Sequence, residues 1–420
     1  MTPRLALLAT GAALVGLPTA VAAQSLDQVM ADTLANAPAL VAAEARSDAA
    51  DAALDQARAE NMPSLTLQGQ IGIGRIDPQG FFNLPADDVT PRVAQVEAEW
   101  PLLTFGRVGS AIDQARAGQQ MASVQSSAVE LDLRLQAVRA YSQARAASEM
   151  VNSYAALETS LAEVLRQARL RFEAGEGTNT EIAQAQARLA GAQAALANAR
   201  GNLATAQAQL TALTGYEVDA SDPLPEPPEV PATREEAVAM ALEANPSVLQ
   251  ARQGAEMARA GLRGARAEGL PAIAAYAEAS TVRDQFFPGY KADSASVGLR
   301  GRWRFYSGGR TGAAVDRAEA EARAAEADVR VAEQVVEVRT VQAFEATQAA
   351  RLALRATEAQ AAATQEALRA TRLEVEVGAK PQLMLLDAER EAIAAETARI
   401  QAAGDLLVAS YTLRNLAGME

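Results

Sequence analysis

One pattern is used twice in this chain, and that doubling constrains the fold more than any other feature. Trp100-Pro-Leu-Leu-Thr-Phe-Gly-Arg-Val-Gly109 returns as Trp303-Arg-Phe-Tyr-Ser-Gly-Gly-Arg-Thr-Gly312, 203 residues further on. The same offset relates Gly175 to Gly378, Ala185 to Ala388, and Leu213-Thr-Gly215 to Leu416-Ala-Gly418, so more than a hundred residues correspond without an insertion. Upstream, Pro38 and Pro63 answer Pro246 and Pro271, 25 residues apart in both copies. Two such copies predict two equivalent elements around a common axis. The expected division is residues 1–23 as a leader, 24–215 as the first repeat, 216–231 as a Pro-rich linker and 232–420 as the second repeat.

The doubled pattern is helical over most of its length. Proline is absent between Pro101 and Pro223 and between Pro288 and Pro381, and such windows can hold very long helices. The soft points inside them are Gly175-Glu-Gly177 and Gly378, which read as helix ends and turns. Each repeat therefore holds a long helix, a tight turn and a second long helix: Arg107–Ala174 with Thr178–Thr214, and Arg310–Val377 with Lys380–Ala417. Shorter helices over Ala39–Met62 and Ser247–Gly269 precede them. Ile182, Ala185, Leu189, Ala192, Leu196, Ala199, Leu203, Ala206, Leu210 and Leu213 alternate steps of three and four. Leu385, Ala388, Ala392, Ala395, Arg399, Ala402, Leu406, Ala409, Leu413 and Leu416 do the same. A 3.5-residue repeat means left-handed coiled-coil packing, and alternating Leu with Ala brings the axes close.

Between the short and the long helix of each repeat the period changes to two. Leu65, Leu67, Ile71 and Ile73 share one face of Ser64–Ile73, and Ala94, Val96, Ala98, Trp100 and Leu102 share one face of Arg92–Leu102. In the second repeat Ala272–Val282 is apolar at Ile273, Ala275, Ala277 and Ala279. Its partner sets Val297, Leu299, Gly301, Trp303 and Phe305 against Arg300, Arg302 and Arg304. The hairpins are expected at about 64–102 and 272–305. About ten alternating residues with an interfacial Trp is the pattern of a membrane β-strand, so Trp100 and Trp303 are expected to face lipid. Glu97, Glu99, Arg300, Arg302 and Arg304 are expected to face a polar lumen. The strand-joining loops, Asp77–Pro91 and Arg283–Asp293, carry Phe81-Phe82 and Phe286-Phe287. The linker Tyr216–Pro231 reads as a strap across the outside.

Four strands cannot close a barrel, and an open sheet edge in lipid leaves backbone groups unsatisfied at several kcal/mol each. Eight strands make a lumen filled by side chains, whereas twelve leave room for water. The expected fold is therefore mainly α with a small β part: a long coiled-coil α-barrel continuing a transmembrane β-barrel completed by a homotrimer, with four strands per chain and twelve in total.

Composition narrows the chemistry. The chain has no His and no Cys, which removes the commonest general base and metal ligand, the thiolate nucleophile and every disulfide. No catalytic, cofactor-binding or metal-ligating constellation is present, and none is expected. A net charge of −14 argues against nucleic acid as a partner. Arg4, the apolar run Leu5–Leu17 and Val21-Ala22-Ala23 before Gln24 form an export leader.

Taken in order, these residues resemble the TolC family of outer-membrane efflux proteins, across nearly the whole mature chain. The marks are Leu34-Ala-Asn-Ala-Pro38, Leu242-Glu-Ala-Asn-Pro246, Leu270-Pro271, Trp100…Phe105-Gly-Arg, Trp303…Gly309-Arg, Arg171-Phe-Glu-Ala-Gly175 and Leu386-Asp-Ala388. The resemblance implies a passive exit duct of a tripartite efflux or type I secretion system. It places the β-barrel in the outer membrane of a Gram-negative cell, in contact with its lipid, and the helices in the periplasm. The implied partners are two further copies of the chain, a periplasmic adaptor (membrane fusion protein) and an inner-membrane pump of the RND or ABC type.

The resemblance also implies a periplasmic gate held by polar links between neighbouring helices. Carried over, its acidic partner is Glu181 beside Thr180 and its basic partner is Lys380. The family's tyrosine position holds Val375. Of two carboxylates at the constriction, one position holds Met384 and the other keeps Asp387. A weaker lock and a single acidic ring of three Asp387 side chains, favouring cations, are expected. Gly175, Gly177 and Gly378 would be the tips an adaptor grips. The alternatives are a periplasmic coiled-coil adaptor, which carries one hairpin rather than two, and a scaffold without channel activity, which needs no alternating strands ending in Trp.

Overall fold

The computed structural model describes residues 25–77, 86–220 and 222–419. The expected leader and Phe81-Phe82 lie outside the described residues. The elements follow in the order α1 (Leu26–Asn36), α2 (Pro38–Ala59), β1 (Ser64–Ile71), β2 (Gly74–Ile76), β3 (Asp87–Val89), β4 (Arg92–Leu103), α3 (Arg107–Glu173) and α4 (Asn179–Thr214). Then come α5 (Arg234–Ala244), α6 (Pro246–Ala267), β5 (Ala272–Arg283), β6 (Lys291–Arg302), α7 (Arg310–Glu376) and α8 (Gln382–Leu416). The long helices α3 and α7 have 67 residues each. Their ends, and those of α2, α4, α6 and α8, fall within a few residues of the limits that proline and glycine placement predicts. The short helices α1 and α5, 11 residues each, are additional.

Two compact units share the chain. One holds Leu133–Pro228 and Thr347–Tyr411 with the described residues up to Ala37; the other holds Pro38–Asp132, Glu229–Ala346 and the described residues from Thr412 on. Neither unit is a sequence repeat, because each draws on both.

In the first unit, the heptad pattern does what its spacing predicts. Ala185, Ala192, Leu196, Ala199, Ala206 and Leu210 of α4 are buried, all at positions of the three-four series. The largest cluster joins Leu26 and Val29 of α1, Ala137, Val138, Tyr141 and Ala144 of α3, Leu210 of α4 and Leu407 of α8. Val218 and Ala220 from the Pro-rich linker enter the same cluster. The linker is therefore more than an external strap: its apolar residues are part of the core, because the helix ends leave a cleft that only apolar side chains fill without a desolvation cost. Tyr216 anchors its start, donating a hydrogen bond to Asp32 of α1. That bond, with some burial and the carboxylate charge, pushes the Tyr216 hydroxyl up to about 12.

The doubled motifs meet in space. Asn36 of the first opening motif donates through Nδ2 to the carbonyl of Thr214, the last residue of α4, at 2.8 Å. In the second unit Asn245 donates to the carbonyl of Leu416, the last residue of α8, at 3.1 Å. The final carbonyls of a helix have no intrahelical partner, and here an asparagine at the start of each repeat satisfies one at its end. Asn245 also caps α6, its Oδ1 accepting from Ser247 N at 3.0 Å. Asn245 is buried, so its removal strands polar groups away from water. Asn245→Ala is expected to destabilise the fold by about 1–3 kcal/mol, read as a lower thermal midpoint of the helical circular-dichroism signal. An unchanged midpoint would show that water replaces the amide.

In the second unit the strands form an antiparallel sheet in the order β1-β4-β5-β6, beside a small β2-β3 hairpin. The register sets Leu67 opposite Val96, Val96 opposite Ala279, and Ala279 opposite Ala295. The ladder ends where Ala272 meets Arg302. Preceding Ala272 is Pro271, which has no N–H to give. The second hairpin thus stops short of the expected residue 305, and Trp303, Arg304 and Phe305 follow the strand.

Candidate functional site

The sheet has two chemically opposite faces. One carries Leu65, Leu67, Val96, Ala98, Trp100, Ala277, Ala279, Val297 and Leu299, placed together by the register. Leu67 is 75% exposed and Val297 83%. A soluble fold does not spread a band of leucine, isoleucine and valine over an open sheet without covering it. The two tryptophans sit alike: the Trp100 indole donates to the carbonyl of Asn61 at 3.2 Å, and the Trp303 indole to that of Gly269 at 3.1 Å. Each ring has its polar edge satisfied and its body exposed, the arrangement suited to a membrane boundary.

The opposite face carries Thr66, Gln68, Gln70, Gln95, Glu97, Glu99, Glu278, Ser280, Ser296, Arg300 and Arg302. Its centre is a charge knot. The Arg300 guanidinium lies 2.7 Å from Glu97, 3.6 Å from Glu99 and 4.0 Å from Glu278, and 4.5 Å above the Tyr276 ring. Tyr276 in turn covers Gly298, where an added Cβ would come within 3.1 Å of the ring; this accounts for a glycine inside a strand. Three acids around one arginine leave this knot net negative. Glu278 belongs to the site and is absent from the residues predicted for it, although it is the one charge among the alternating polar positions of β5. Arg302 is in the strand on the same face; Arg304 lies beyond the strand end.

At the two helix turns the repeats end alike. Gly175 and Gly378 adopt left-handed φ of 80° and 74°. Glu176 N donates to Arg171 O at 2.9 Å and Gly175 N to Phe172 O at 3.0 Å; Ala379 N to Glu374 O at 2.8 Å and Gly378 N to Val375 O at 3.0 Å repeat that pattern. This is the Schellman closure, which demands positive φ at its glycine. Gly177 is needed for space: a Cβ there would sit 3.0 Å from Phe172 N. Phe172, Leu373, Val377 and Met384 are exposed around the turns.

The carried-over gate residues each have partners within the chain. Glu181 closes a capping box with Thr178: Glu181 N donates to Thr178 Oγ1 and Thr178 N to Glu181 Oε2, both at 3.3 Å. Thr180, exposed, lies in the same helical turn. Lys380 pairs with Glu374 at 2.6 Å rather than with Glu181. Asp387 is held by Arg188 of α4 at 2.9 Å. Val375 is part-buried at the end of α7. Shifting Thr178 and Glu181 by 203 residues gives Pro381 and Met384, so the second hairpin lacks the box. A groove of about 340 Å³ opens beside these residues, lined by Val164, Arg171, Glu181, Arg188, Pro381 and Leu386. Among the described residues no group of three or more acidic, His or Cys side chains is placed to hold a metal ion, and no helix is long and apolar enough to cross a membrane.

A sheet apolar on one side and charged on the other, in a chain of paired coiled-coil hairpins, defines a class of membrane-embedded protein. The chain belongs to the outer membrane efflux protein family, whose sequence profile matches residues 29–216 and again 237–419. It is an outer-membrane protein. Among relatives, it is 28% identical over 258 residues to the outer membrane efflux protein BepC of Brucella suis, a match covering 61% of this chain and 56% of BepC. It is 26% identical over 420 residues to the outer membrane protein TolC of Vibrio cholerae, covering 97% of this chain and 93% of that one. Its fold is that of the CmeC outer membrane channel of Campylobacter jejuni, with a TM-score of 0.82 at 15% identity over 99% of this chain and 94% of that one.

Proposed function

We propose that three copies of this chain share one twelve-stranded barrel in the outer membrane and form a passive export duct. The observation that carries this reading is the sheet itself. Its edges, β1 and β6, have one neighbour each, yet its exposed face is fit only for lipid. Unpaired backbone at those edges would cost several kcal/mol per group in hydrocarbon. A second copy of the chain brings a matching β1 to β6, and three copies leave a lumen wide enough for water. The polar face then lines that lumen, with Glu97, Glu99, Glu278, Arg300 and Arg302 around the stream.

The helices continue the wall, and the end bearing Gly175, Gly177 and Gly378 is where an adaptor and an inner-membrane pump engage. At that end the duct narrows, Asp387 lies near the mouth with Arg188 moderating its charge, and Glu181 and Lys380 move between their partners in the chain and those on a neighbouring subunit as the mouth opens. The family profile matches twice, over residues 29–216 and 237–419, which supports reading the chain as two tandem repeats. The energy for export comes from the pump.

Purified protein in planar bilayers tests this reading. Expected are stable conductance steps, from particles whose native mass is three chains. A well-folded single chain that carries no current would overturn it.

A further inference from the structure

Glu389 is the one Asp, Glu, Lys or Arg, among the described residues, that is buried: it is 7% exposed. The duct reading gives it no role. It lies on α8, where three helices meet. The Ser160 hydroxyl of α3 is 3.0 and 2.8 Å from its two carboxylate oxygens. The Arg372 guanidinium of α7 is 3.5 Å away. A groove of about 340 Å³ surrounds it, walled by Leu157, Leu368 and Ile393 as well as by these polar groups.

Packing alone does not explain such a residue. A buried charge pair commonly stabilises a fold no better than apolar side chains of the same size, and its best-attested use is to fix register. The neighbouring positions argue the same way. The heptad series around Glu389 is Ala388, Ala392 and Ala395, smooth surfaces along which helices slide easily. The equivalent of Glu389 in the first repeat is Gln186, which is exposed, and the equivalent of Ser160 is Ala363. The cluster is therefore not part of the duplicated scaffold.

Two residues earlier, Asp387 points to another side of α8, toward Arg188 of α4. Thus α8 of the second repeat is tied to both helices of the first hairpin, by Asp387 to α4 and by Glu389 to α3. The Asp387 tie is exposed and open to screening by salt. The Glu389 tie is shielded and has one arrangement, since sliding α8 by a single turn would carry the carboxylate away from Ser160 by about 5 Å.

We propose that Glu389 is a positioning residue that sets the register of the second hairpin on the first, and that its bond to Ser160 must release before the duct opens at its turn end. This rests on the duct reading and adds the restraint that governs it.

The chain contains no cysteine, so a thiol pair can be placed cleanly. The test is a Ser160→Cys, Glu389→Cys double variant, bridged through two disulfides by a short bis-methanethiosulfonate reagent and measured in planar bilayers. Before bridging, the open fraction should exceed that of the wild type several-fold. Bridging should cut it below the wild type, and a reductant should restore it in the same molecules. A control pair, Glu158→Cys with Gln193→Cys, joins α3 to α4 inside the first hairpin, where the native side chains are 3.1 Å apart; bridging it should change nothing. Ser160→Ala, which removes one hydroxyl and keeps the carboxylate and Arg372, should raise the open fraction of the channels that assemble. If the wild type conducts and bridging Ser160 to Glu389 has no more effect than the control pair, the inference is wrong and the duct stands. If the wild type does not conduct, both fall.

Discussion

Leu67→Arg prevents this chain from assembling in a bilayer, while Gln68→Arg, one residue away, leaves assembly intact. Leu67 lies mid-sheet, opposite Val96, with Ala279 and Ala295 next along the row, on the face that carries no charge near its centre. Arginine at the middle of a lipid-facing barrel surface costs about 2–4 kcal/mol, and a trimer would bear that cost three times. Native stabilities are about 5–15 kcal/mol, so the penalty is comparable with the whole. Gln68 projects from the other face, beside Gln95, where a cation meets water and the nearby carboxylates. The measurement is the fraction of each variant that resists extraction from vesicles. Equal insertion of the two would mean that the apolar face does not meet lipid, and the barrel would have to be abandoned.

Gly418→Ala costs far more than Gly378→Ala, although both glycines have nearly the same backbone. Their φ values are 67° and 74°, so each substitution carries the same left-handed penalty of about 1 kcal/mol. Space separates them. A Cβ on Gly378 meets nothing within 4 Å, whereas one on Gly418 would lie 2.5 Å from the Ala244 Cβ and 3.3 Å from that residue's carbonyl. Relieving such an overlap adds about 1–3 kcal/mol. It also pries apart the joint where Asn245 reaches the end of α8. Thermal midpoints in detergent should fall by several degrees more for Gly418→Ala. Equal shifts would show that the α5–α8 joint yields freely.

The ends of α3 and α7 were readable because Gly175 and Gly378 supply a backbone conformation that other residues adopt only at a cost. The two faces of the sheet were readable because a strand alternates with period two and this one alternates without error around Leu67 and Val96. Helices α1 and α5 escaped notice: with 11 residues each, they are too short to show a period, although Ser25 and Thr233 cap them in the usual way. Glu278 could have been found from β5 alone.

The pairings could not. Ser160 and Glu389 are 229 residues apart, Arg188 and Asp387 199, and Asn245 and Leu416 171. Local sequence determined where this chain is helix, where it is strand, and which side of each is apolar, because those properties follow from dihedral preference and from spacing along one backbone. Tertiary structure alone decided which polar groups satisfy one another, why Glu181 spends its carboxylate on its own helix end, and why Glu389 is buried. Partners so distant in sequence are chosen by packing, and packing leaves no period to read.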